Sequence, residues 1–182
     1  MYKRQLIYNK NYVSEEDAQS WSCLWNSKYQ GKLLMFDNPR DAFAIAESML
    51  GYSFNTEDEQ ELKNCADLLA TQSPVLQGYV MDQIFDRMER GEAWAAPYYA
   101  GDYLTMVEEN PDLGFSHPKE GFNIFIDSMC IPKGCQNKAG AEAFINFLCR
   151  PDISAANLDY IGYSTPETAA KEYPVSYTHL RA

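Results

Sequence analysis

The residues of this chain best suited to chemistry are carboxylates and aromatic rings, and they recur together. In FNIFIDSMCIP (residues 122–132) alternate side chains of an extended strand share a face. Asn123, Phe125, Asp127 and Met129 therefore point one way, and Phe122, Ile124 and Ile126 the other. An aspartate in so apolar a run has to be solvated, hydrogen-bonded or paired, because an isolated buried carboxylate is costly. Beside Phe125 it suits an organic cation: the carboxylate takes the ammonium and the ring takes the alkyl chain. The bland reading is a turn cap or an internal lysine pair. A second group, Asp37, Asn38 and Asp41, opens a helical pattern, and a third, Tyr98-Tyr99-Ala100-Gly101-Asp102, follows a small-residue strand.

Other chemistries lack their parts. Histidine occurs twice, as His117 in a turn and His179 near the end, so a Ser–His or Cys–His pair would rest on His117. No GxxxxGK[ST] or GxGxxG offers a phosphate cradle, and no HExxH or Cys/His cluster offers a zinc site. Asp37 and Asp41 could serve an α/β hydrolase as paired carboxylates, yet helix capping accounts for both. The five cysteines have no metal-type spacing. Cys65 and Cys149 are expected on buried helix faces, and Cys130 and Cys135 could bridge across the intervening turn.

The elements that must position these residues alternate. The pattern predicts a strand over 6–13, a short helix from SEEDAQ and a buried strand over 31–36. Asn38 then caps a helix with Pro39 at its first position and Asp41 three after the cap. Thr56 is expected to cap a second helix with acids in its first turn. A strand over 75–80, a helix over 82–89, a strand through Tyr98 and a helix over 101–109 capped by Asp102 follow. LGFS is a short strand and FNIFIDSMCIP the most strand-like stretch. Helices over 138–149 and 152–159 precede an IGYSTP loop. Strands alternating with helices indicate an α/β fold. Trp21 and Trp25, four apart, are expected in a core.

Composition narrows the partners. Twenty-six acidic residues against 15 basic give a formal charge of −11. That acid excess argues against nucleic acid, whose recognition needs lysine and arginine to displace counterions; a cationic partner fits better. The hydrophobic share of 46% and charged share of 23% are ordinary for a globular chain and argue against disorder. No apolar run reaches the roughly 18 residues of a membrane-spanning helix, and no signal-peptide pattern opens the chain. MYKRQ and VSYTHLRA match no surrounding periodicity and read as adapter-like tails (1–5 and 175–182). The chain is thus expected to be an internal fragment of a longer protein.

The segments SWSCLWNSKYQGKLLMFDNPRDAF, GEAWAAPYYAGD, FNIFIDSMCIPKGCQNKAGAEAFINFLCRPDIS and IGYSTP are collinear with, and resemble, the polyamine-binding receptors of ABC uptake systems (the spermidine/putrescine solute receptors). The resemblance implies a two-lobed periplasmic-binding-protein-like α/β fold (type II) with a cleft between lobes. Residues 6–28 would be a crossover strand and linker helix, 29–126 the second lobe, and 127–174 a crossover with helices returning to the first lobe. It implies a receptor outside the cytoplasm, in the periplasm or lipid-anchored, monomeric when complete. That receptor would hand a polyamine to a membrane permease, with no cofactor, metal or catalysis. The family's acidic pair for one amine falls on Asn38 and Asp41, with Asn38 where the family has an aspartate. A stacking tryptophan falls on Tyr98, a second aromatic on Phe125, the central aspartate on Asp127 and a cleft tyrosine on Tyr163. Three alternatives stay open: a related receptor for ferric ion or another small cation, since Tyr98-Tyr99 resemble paired phenolate ligands; an α/β hydrolase; or a fragment that binds nothing.

Overall fold

In the computed structural model, residues 2–163 and 165–173 are described, with the backbone alone for residues 2–4 and 125. The closing VSYTHLRA and His179 lie outside them. The chain divides into a larger unit, Lys3–Asn123, and a smaller one made of Tyr2 and the residues from Ile124 onward.

In the larger unit β1 (Tyr2–Asn9) leads into α1 (Glu15–Ala18), whose first turn is capped by Ser14. A 3-10 helix, Trp21–Trp25, follows and buries Trp21. β2 (Leu33–Phe36) has all four side chains buried, as a parallel strand covered on both faces requires. α2 (Pro39–Leu50) begins as its sequence dictates. The Asn38 side chain accepts from the Arg40 N–H, Pro39 occupies the first turn, and Gly51 closes the helix at φ 73°. Ala42, Ile45 and Ala46, spaced i, i+3, i+4, form its buried stripe.

α3 (Glu59–Gln72) departs from expectation at its start. Asp58 is the cap, its carboxylate accepting from Gln60 and Glu61 N–H at 2.8 and 3.0 Å. Thr56 accepts from the Asp58 N–H and donates to Glu61 instead. The charged acceptor is the stronger partner for two orphan donors, so the helix starts two residues late. β3 (Leu76–Val80), α4 (Ile84–Glu89), β4 (Ala95–Tyr99), α5 (Ala100–Glu109) and β5 (Leu113–Ser116) complete the unit. Asp102 is not the cap of α5 but lies in its first turn; Tyr99 occupies the cap position without a side-chain bond.

These strands form a mixed sheet in the order β3-β2-β4-β1-β5. β2 runs parallel to β3 and β4, with Phe36 opposite Val80 and Leu33 opposite Ala95. β1 runs antiparallel to β4 and β5, with Leu6 opposite both Pro97 and Ser116. The core gathers Leu6, Ile7, Trp21, Leu24, Leu34 and Ile45 around this sheet. Each such side chain contributes roughly 1.5–3 kcal/mol by leaving water. A polar clasp holds its margin. Glu120 accepts from the Ser20 hydroxyl and the Trp21 N–H, and the Trp21 indole donates to the Gly121 carbonyl at 2.8 Å.

Among the described residues of the smaller unit, β6 (Ile124–Phe125) is followed by irregular backbone and then by helices. The long strand expected over FNIFIDSMCIP is therefore two residues in extent. An apolar run stays a strand only where a neighbour takes its backbone hydrogen bonds, and Ile126, Asp127 and Met129 are exposed. α6 (Lys138–Leu148) is capped by Asn137, and α7 (Pro151–Ile161) starts at Pro151 and ends at Gly162, φ 70°. A 3-10 helix, Thr168–Glu172, follows the IGYSTP loop. All five cysteines are free, so Cys130 and Cys135 form no bridge, and Cys149 is exposed rather than buried.

Candidate functional site

In the larger unit the parallel strands β2, β3 and β4 end on one edge of the sheet, where open α/β sheets bind ligands. The segments leaving that edge carry the acidic and aromatic groups. β2 ends in Phe36 and delivers Asp37, Asn38 and the first turn of α2. β3 is followed by Asp82. β4 ends in Tyr98 and Tyr99, and α5 carries Asp102 in its first turn.

Asp41 is 2% exposed, and its Oδ2 accepts a 2.6 Å hydrogen bond from the Tyr99 hydroxyl. A charge-assisted bond of that length is among the stronger kinds. It lets a carboxylate survive burial beside aromatic rings. Phe36 lies 5.5 Å from the Tyr99 ring and 5.8 Å from Tyr98, the two tyrosines are 4.8 Å apart, and Phe85 meets Tyr98 edge-on at 5.9 Å. The Tyr98 hydroxyl donates to Asp82 at 3.4 Å. Burial first, then the charges of Asp102 and Asp82, push the Tyr98 phenol well above its ordinary range.

Asn38 is half-buried, with its side-chain oxygen engaged by the Arg40 N–H at 3.1 Å. Of the residues the sequence singled out, Asn38, Asp41 and Tyr98 thus lie on this edge. Phe125, Asp127 and Tyr163 belong to the smaller unit. Phe125 sits in β6, and its side chain lies outside the described residues. Asp127 is exposed in irregular backbone. Tyr163, half-buried, lines a cavity of about 190 Å³ with Met129, Ser154, Leu158 and Thr165. There Thr165 donates to the Ser154 hydroxyl and Ser154 to the Leu148 carbonyl, fixing the loop against α7.

Sequence reasoning missed Phe36, Asp82 and Phe85, and weighed Tyr99 only as a metal ligand. The available signal was position: each follows or ends a strand of the parallel set, or lies in the turn and helix just beyond it. His117 offers no nucleophilic pair with its neighbour. Its ring packs 5.7 Å from Phe115 and 5.1 Å from Phe122, while the Ser116 hydroxyl donates to the Ala18 carbonyl.

The profile of a known family, described as bacterial extracellular solute-binding protein, matches residues 1–180. The chain belongs to that family. Among its relatives, the spermidine/putrescine-binding periplasmic protein of Escherichia coli is 33% identical over 164 residues, 90% of this chain and 47% of its own length. The putrescine/cadaverine-binding protein of Pseudomonas aeruginosa is 27% identical over 175 residues, 90% of this chain and 49% of its own. Similar solved structures include the spermidine/putrescine ABC transporter substrate-binding protein of Streptococcus pneumoniae, 32% identical with a TM-score of 0.77. That match covers 94% of this chain and 53% of the other. The Tp0655 lipoprotein of Treponema pallidum is 27% identical, with a TM-score of 0.84 over 96% of this chain and 57% of the other. The fold is accordingly the α/β, type II periplasmic-binding-protein fold, and the chain spans about half the length of the curated relatives it matches. Membership of a solute-binding family points to a non-enzymatic role.

Proposed function

We propose that this chain is part of an extracytoplasmic receptor that binds aliphatic polyamines of the putrescine and spermidine type and presents them to a membrane ABC permease. The observation that carries the reading is the buried Asp41 carboxylate, held by Tyr99 among the rings of Phe36, Tyr98 and Tyr99, with Asp82 and Asp102 close by. A carboxylate about 4 Å from an ammonium at an effective dielectric near 20 contributes roughly 4 kcal/mol before desolvation. Each methylene of the alkyl chain buried against the rings adds about 0.8 kcal/mol. Asp41 also opposes the positive end of the α2 dipole, which would otherwise repel a cation.

On this reading Asn38, Asp41 and Tyr98 of the larger unit and Phe125, Asp127 and Tyr163 of the smaller contact the ligand. Tyr99 positions Asp41. Binding makes and breaks no bond, so the protein is no enzyme. It works outside the cytoplasm, free or lipid-anchored, as a monomer and without nucleic acid. The names of the relatives in Escherichia coli and Pseudomonas aeruginosa support the ligand class.

Calorimetry of the complete receptor with putrescine and with spermidine tests the proposal. Saturable heat is expected, with Asp41→Asn and Asp127→Asn each weakening affinity about ten-fold or more. Absence of heat with any aliphatic di- or triamine, or full affinity in both variants, overturns it.

A further inference from the structure

A second concave site lies on the larger unit, on a different face of α2. A groove of about 460 Å³ runs between α2, the 52–58 loop and the start of α3, within the size range of small-molecule sites. Arg40, Phe43 and Glu47, spaced i, i+3, i+7, line it along one helix face, with Phe54 and Leu62 opposite. Asp41 is turned about 100° from Arg40 and faces Tyr99 instead.

Glu47 is the unusual member. It is 6% exposed as a residue, its carboxylate oxygens keep contact with solvent, and among the described residues no hydrogen bond or ion pair holds them. Its acidic neighbour Glu61 is satisfied, accepting the Thr56 hydroxyl at 2.5 Å. Burial pushes the Glu47 carboxyl up; the Arg40 charge opposes the rise, and Glu61 adds to it by less. A carboxylate whose stem is buried and whose oxygens have no protein donor favours a cation in the groove it lines. Arg40, exposed at the rim, is one positive charge against Glu47, Glu57 and Glu61. The half-buried ring of Phe43 and the exposed ring of Phe54 offer an apolar wall next to the acid.

We infer that this groove binds an organic monoamine with an apolar body, the ammonium on Glu47 and the body against Phe43 and Phe54. The site is separate from the polyamine reading, since it shares none of the residues assigned there.

Titrating benzylamine into the isotope-labelled 182-residue chain and following amide shifts by NMR tests it. Saturable shifts are expected at Arg40, Phe43, Glu47, Thr56 and Glu57. Glu47→Gln should weaken the affinity about ten-fold or more, and Arg40→Ala should tighten it. If Glu47→Gln does not fold, Arg40→Ala decides: unchanged or weaker binding overturns the inference. Benzoate or phenylalanine binding there as well as benzylamine also overturns it. Shifts confined to Asp41, Tyr98 and Tyr99 overturn it while leaving the polyamine reading intact.

Discussion

The two units bury their apolar side chains very differently. β2 of the larger unit exposes none of its four residues, and Leu34, Met35 and Ile45 are almost wholly inside. α6 of the smaller unit is apolar at seven of its eleven positions yet buries no residue. Phe144 is 61% exposed, and on the neighbouring helix Tyr160 is 91% exposed. Helical periodicity thus supplies a face suited to burial, but stability comes from what covers that face. In the larger unit the sheet covers its helices; in the smaller the described residues leave the same kind of stripe open.

The sharpest way to break this contrast is to remove equal chemistry from each side. Leu34→Ala should cost about 2–5 kcal/mol in urea unfolding, because it opens a cavity inside the sheet. Phe144→Ala should stay within about 0.5 kcal/mol. Comparable losses in the two variants would erase the distinction.

A smaller effect is expected where polar groups do the holding. Tyr99→Phe removes the phenolic donor from a buried carboxylate and should cost about 1.5–3 kcal/mol in the same unfolding measurement. No loss there would mean that Asp41 does not depend on Tyr99.

The smallest effect depends on pH. The Tyr29 hydroxyl donates to Asp17 at 2.5 Å and holds that carboxyl below its ordinary range, helped by Ser14 and Lys28. A carboxylate whose folded pKa is lowered stabilises the fold fully above its unfolded value, and the stabilisation fades as pH falls through the folded one. Tyr29→Phe should therefore cost about 1 kcal/mol near neutrality, and the gap from wild type should close in acid. Urea midpoints measured from neutral pH down past the aspartate range check this, and a gap that widened in acid would reverse the sign.

How much was legible follows from the range of the interaction that decides each feature. The start of α2 is local: Asn38, Pro39 and Asp41 carry cap, first position and first-turn charge within four residues, and the helix begins where they say. β2 announces itself by a short apolar run between glycine and Asp37-Asn38-Pro39. The cap of α3 was missed by two residues because Thr56 and Asp58 are both competent, and only the geometry favours the carboxylate. The FNIFIDSMCIP strand was overestimated because a strand depends on a neighbour that its own sequence does not name. Within the candidate site, Asp41 was found, but its tie to Tyr99 spans 58 residues and joins a helix to another strand's end. No spacing rule reaches that far. Asp82 was hidden for the same reason, since its relation to Tyr98 exists only once β3 and β4 both flank β2.

One consequence lies in the strand order. β1 and β5 are neighbours and run antiparallel, Leu6 facing Ser116 and Asn9 facing Leu113. The first and last strands of the Lys3–Asn123 body therefore lie side by side, like the two leads of a plug-in component, with residues 117–123 trailing from the second. A rearranged gene could splice those leads together and open new termini at a distant surface bend while keeping every rung of the ladder.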